Sequence, residues 1–222
     1  MTTLNKIAEN VAFTMGEQFN MTLRESIKDA IVNYRATLIR QDLDNNPLSY
    51  TDYLQSFCIE LELVNKSEYP QIQVNCELLR SKQKIAKPLR IKNNGRSNFK
   101  FVGSVVRNVS LTFATPHEMQ YMEHLAFQDN VYYYTVINGY MYVLNNLKFC
   151  KLLIEEIVAD PRDIENCDNP AIFADDVEFP IPEDMLSTIK RLIRQDYPQY
   201  NIKDGEVVNI EPNKEQPRHD RR

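Results

Sequence analysis

Asn138-Gly139 constrains this chain more than any other pair of residues. It separates two apolar, β-branched and aromatic runs, Val131 to Ile137 and Tyr140 to Leu144. A two-residue Asn-Gly link between such runs selects a tight hairpin turn, because both central residues must take positive φ. The chain therefore contains an antiparallel strand pair, and the other elements have to be arranged around it.

Further period-two segments extend the pattern. Phe57, Ile59, Leu61 and Leu63 alternate with Cys58, Glu60 and Glu62, and Ile72, Val74, Cys76 and Leu78 alternate with Gln73, Asn75 and Glu77. The alternation predicts an antiparallel pair with one wet face. Short strands are expected at Leu89 to Lys92 and Phe99 to Val106, and another from about Leu147 to Val158, closed by Asp160-Pro161.

Helical periods flank this block. Leu4, Ile7, Ala8 and Val11 share one face. Thr22-Leu-Arg-Glu25 reads as a capping box before the stripe Leu23, Ile27, Ala30, Ile31, Tyr34 and Leu38. Arg24, Lys28 and Arg35 are expected on a different face. Thr115-Pro-His-Glu118 is a second capping box, opening a short helix to about Ala126. Pro180 to Asp184 opens a last helix with Met185, Leu186, Ile189, Leu192 and Ile193 on one face.

The reading is α+β: N-terminal helices, a central antiparallel sheet (sandwich or barrel-like) with one short helix, then a C-terminal helix and an extended tail. The expected division is a helical segment 1–48, a β-rich domain 49–160, a loop and helix 161–197, and a tail 198–222 that contacts partners. The tail is polar and contains Pro212 and Pro217, so by itself it has too little apolar surface to fold.

Composition fits an ordinary soluble domain, with 43% apolar and 26% charged residues in 222. No apolar run reaches the roughly 18 residues that a membrane span needs. The first ten residues resemble neither a signal nor a transit peptide, so the expected compartment is the cytoplasm. Cys58, Cys76, Cys150 and Cys167 are far apart and form no C-x-x-C pair, so four reduced thiols are expected.

Chemistry-bearing motifs fail one by one. His117-Glu118 starts like a zinc protease motif, but His124 lies seven residues on rather than four. No phosphate-binding glycine loop and no nucleophile elbow exists. The acid pairs Asp160/Asp163 and Asp175/Asp176 suit turns better than catalysis. No catalytic residue, cofactor or metal is expected, and the chain reads as a non-enzyme.

Charge is strongly segregated. Lys82, Lys84, Lys87, Arg90, Lys92, Arg96, Lys100 and Arg107 follow one another without an acid between them. From Glu155 to Asp184 there are eleven acidic residues and a single cation, Arg162. Asp160, Asp163, Asp175, Asp176 and Glu178 are the complementary candidates. Opposed patches on one chain favour oriented contact between copies. The basic run could also hold phosphates, with Phe99 and Phe101 able to stack bases, which keeps open a nucleic-acid-binding accessory protein using residues 82–107.

Three stretches carry a family resemblance: FKFVGSVVR at Phe99 to Arg107; the tyrosine-rich hairpin continuing into LIEEIVADPRDI at Leu153 to Ile164; and EFPIPEDML at Glu178 to Leu186. Together they resemble the head-to-tail connector, or ring, proteins of tailed bacteriophages of the crAss-like type. The resemblance implies a structural virion protein, assembled in the host cytoplasm, that forms a homo-oligomeric ring of about twelve copies in the neck. It implies portal and other neck or tail proteins as partners, a channel for packaged DNA and no membrane.

Overall fold

The computed structural model describes residues 2–65, 72, 78–91, 99–122, 131–144, 149–167, 175–198, 202–203 and 206–207. The expected sites Lys92, Arg96, Cys76 and His124, the end of the short helix toward Ala126 and nearly all of the 198–222 tail lie outside these residues.

The architecture is α+β. Helices α1 (Leu4–Thr14) and α2 (Met21–Asn45) come first. Strands β1 (Gln55–Val64), β2 (Leu78–Ser81), β3 (Phe101–Gly103) and β4 (Leu111–Phe113) follow. Helix α3 (Pro116–Met122) leads to β5 (Tyr132–Ile137), β6 (Tyr140–Leu144) and β7 (Lys151–Glu156). Helix α4 (Glu183–Asp196) precedes the small ladder of β8 (Ile202–Lys203) and β9 (Glu206–Val207).

Seven strands form one sheet in the order β3-β7-β1-β2-β6-β5-β4. All pairings are antiparallel except β4 with β5, which is parallel across the α3 connection. The two outer strands meet again through the Gly103–Ser110 bridge and the bond from Ser104 N to Val109 O at 2.9 Å. This nearly closes the sheet into a barrel, the arrangement that removes exposed edges. The seam needs glycine: a Cβ on Gly103 would lie 2.3 Å from Val109 O and 2.4 Å from the Phe101 ring.

The Asn138-Gly139 turn forms as its sequence requires, with φ of 54° and 84°, and sets the β5–β6 register of Ile137 on Tyr140. Inside the barrel, Phe57, Ile59 and Leu61 of β1 meet Leu152 and Ile154 of β7 and Met141 and Val143 of β6. On the outer face, Leu78, Met119, Tyr133 and Tyr142 pack beneath α3. The Thr115/Glu118 capping box closes in both directions, at 2.9 and 3.2 Å.

The helices form a separate layer. Leu4, Ile7, Val11, Ile27, Ile31, Ile39, Ile189 and Ile193 share its core with Leu89, Ile157 and Phe179 from the barrel side. Arg35 joins the layer to the barrel. It is fully buried, donating from Nε to Pro180 O at 2.7 Å and from Nη1 to Val158 O at 3.0 Å, with Phe179 beneath it.

Several sequence expectations are corrected. Helix α2 is capped by Asn20, whose side chain accepts from Leu23 N at 3.0 Å, and Thr22 sits inside it. Lys28 and Arg35, expected on a face apart from the apolar stripe, are both buried: Lys28 lies on Asp175, and Arg35 finds carbonyl acceptors in the interior. Residues 89–91 make no strand, because Leu89 turns into the helical core and only Pro88 bridges Val158. Cys58 and Cys167 are not free thiols but a disulfide. Cys58 points away from the barrel interior, and the backbone bond from Cys167 N to Cys58 O holds the two segments together.

Candidate functional site

The basic run lies on the barrel. Lys82 and Arg80 flank the wet face of β1 and pair with Glu60, at 2.7 Å, and Glu62. The Glu60 carboxylate raises the Lys82 pKa by accepting a hydrogen bond from its ammonium. Arg107 pairs with Glu155. Lys100 lies 5.5 Å over the Tyr50 ring, tying the barrel to the segment after α2. Lys84, Lys87 and Arg90 are exposed, and Arg90 uses its carbonyl to accept from Arg40 Nε at 3.1 Å.

The acidic run is largely engaged within the chain. Asp160 accepts from Arg162, which also reaches Asp29 at 3.0 Å. These carboxylates hold the Arg162 proton more tightly than usual. Asp175 accepts from Lys28 at 2.6 Å, and Asp176 accepts from Asn5 Nδ2 at 2.6 Å. Glu178 bridges Thr3 through its backbone, leaving its side chain exposed. Asp163 is exposed, yet partial burial of its carboxyl and the nearby Asp160 raise its pKa. The acidic segment therefore stitches α1 and α2 to the loop before α4. Its sequence contrast with the basic run overstates the free charge on the surface.

A second charged surface was not singled out from the sequence. On α4, Ser187, Lys190, Arg191, Arg194 and Gln195 line an open groove of about 400 Å³. None of the three cations has an ion-pair partner among the described residues. The signal was present: Met185, Ile189 and Ile193 define the buried stripe, so the intervening cations must face out.

Nothing assembles around the histidines. His117 is exposed and packs edge-on to Tyr121 at 5.3 Å. Among the described residues, no group of three or more metal-ligating side chains converges. Nor does any helix among them have the length and apolarity to cross a membrane.

The sequence model of one family, phage tail ring protein 2 of the crAss-like type, matches residues 6–196. The chain belongs to that family. The match runs from α1 through α4 and so includes the helical layer as well as the barrel. No individual curated protein matches the chain. As a tail ring protein it is a structural component of the phage particle.

Proposed function

We propose that this tail ring protein builds a closed ring of about twelve copies in the neck of the particle, between the portal and the tail. It serves there as an adaptor that continues the DNA channel, is assembled in the host cytoplasm and has no enzymatic activity. The observation that carries this reading is the family match over residues 6–196. Exposed Lys84, Lys87 and Arg90 support a barrel face turned toward the phosphates of passing DNA. Asp163, Asp176 and Glu178 are the acidic candidates exposed for contact with a neighbouring protein. The tail beyond residue 198 reaches across to a partner.

Co-expression with the portal and tail proteins, followed by sedimentation, tests the position. Co-migration of this chain with both is expected. A chain that sediments apart from the portal and the tail in every combination would overturn it. The second reading, a DNA-binding accessory protein, rests on the same three cations. It predicts salt-dependent DNA binding by the isolated chain that Lys84→Glu/Lys87→Glu/Arg90→Glu abolishes.

A further inference from the structure

The two ends of the helical layer differ in kind. Where α1 leads into α2, Phe13 (65%), Phe19 (87%) and Met21 (62%) are exposed, and Phe13 and Phe19 line a hollow of about 370 Å³ beside the Arg24–Glu9 ion pair at 3.8 Å. The layer core does not use these side chains. At the far end of α2, Tyr53, Leu54, Pro180, Ile181 and Pro182 line an apolar cleft of about 310 Å³. Its walls are held in place. Tyr53 donates to Asp42 at 2.8 Å and Ser49 to the same carboxylate at 2.6 Å. Leu48, 88% exposed, projects from the same short segment. Helix α2, 25 residues and about 37 Å long at 1.5 Å per residue, runs between the two ends, with the cleft's Pro180 set against Arg35 past its midpoint.

Charge follows the same polarity. Helix α4 runs back along α2. Its C-terminal end lies over the first half of α2, where Tyr34 donates to Asp196 and Ser26 meets Tyr197 at 2.6 Å. Its N-terminus lies by the cleft, where the Asp184 charge acts on Tyr53. The free cations Lys190, Arg191 and Arg194 therefore lie on the aromatic half. Asp52, Glu183 and Asp184 lie at the cleft, exposed and without ion pairs among the described residues. One end is aromatic, with the free α4 cations beside the Arg24–Glu9 pair and Asp196, and the other is a cleft with an acidic rim.

We propose that neighbouring copies of this chain meet head to tail through these ends, the Phe13/Phe19 end and α4 cations of one copy seating on the Tyr53/Pro180 cleft and acids of the next. The inference rests on the ring reading and names its contact. A heterologous interface needs two unlike, mutually complementary patches on opposite sides of one subunit, and it closes into a ring when the rotation allows. Aromatic anchors entering an apolar pocket inside a charged rim are the usual composition of such a contact.

The test measures assembly of the full chain by mass photometry and negative-stain microscopy. Arg191→Glu/Arg194→Glu in one variant, and Glu183→Lys/Asp184→Lys in another, place like charges across the contact. Each is expected to stop ring formation while leaving the circular dichroism unchanged. Phe19→Ser is expected to weaken neighbour contact roughly thirty-fold, as loss of a central aromatic anchor does. Mixing the two charge variants restores complementarity at every contact and is expected to return rings. Wild-type rings that neither reversal disturbs, or a mixture that stays dissociated, would overturn this interface and leave the ring reading standing. A wild type that remains monomeric at every concentration would overturn both.

Discussion

Glu156→Gln is expected to stabilise the chain by an amount that grows with pH. Glu156 continues the inward face of β7 after Leu152 and Ile154 and is fully buried. Neither carboxylate oxygen has a hydrogen-bond partner among the described residues. The same holds for Nε2 of Gln55, which lies opposite it on β1 and uses Oε1 to accept from Val158 N at 2.9 Å. Burial raises the Glu156 pKa from 4.5 to about 9. The fold thus keeps a proton that the unfolded chain releases above 4.5. Stability from this group is intact below that pH and falls by about 1.36 kcal/mol per unit up to about pH 9. At pH 7 the loss is about 3 kcal/mol, a large part of a typical domain's stability. Glutamine has the same shape and no proton to lose. Urea unfolding of both proteins at pH 5, 6, 7 and 8 should give nearly equal stability at pH 5 and a gap widening by about 1.4 kcal/mol per unit thereafter. Parallel pH curves for the two proteins would refute a buried, proton-retaining carboxyl.

Other residues give equally direct tests. Arg35→Ala leaves the carbonyls of Val158 and Pro180 without their donor and opens a cavity, and should cost about 3–5 kcal/mol in urea unfolding, whereas Arg35→Lys, with one donor head for two acceptors, should cost less. Gly103→Ala forces the barrel seam apart at Val109 O and should lower stability by about 1–3 kcal/mol, measured as a fall in Tm. The Cys58–Cys167 bond spans 109 residues of sequence, so reduction, or Cys167→Ser, should lower stability by up to about 4.7 kcal/mol in the chain-entropy limit, read as a lower urea midpoint under dithiothreitol.

Local signals were legible wherever the residues themselves determine the geometry. The Asn138-Gly139 turn and the Thr115/Glu118 box needed nothing beyond their own side chains. The alternation of β1 assigned Phe57, Ile59 and Leu61 to the interior correctly, because a strand offers only two faces. Long-range partners were not legible. The burial of Lys28 and Arg35 depended on them, because their acceptors, Asp175, Val158 and Pro180, lie more than a hundred residues away. The same distance hid the disulfide and the pairing of the acidic run with Lys28 and Asn5. Barrel closure depended on the short β3–β4 link, where the space around Gly103, rather than any propensity, decides. The free cations of α4 were within reach of the same periodicity argument that identified its buried stripe.

The proposed place of this chain is a ring in the phage neck. A cryo-EM reconstruction of the intact particle, with symmetry resolved along the neck, tests it. A closed ring of repeated seven-stranded barrels is expected, each with its helical layer touching the next copy end to end. A particle from which this chain is missing, or in which it occurs as isolated copies away from the channel axis, would contradict it.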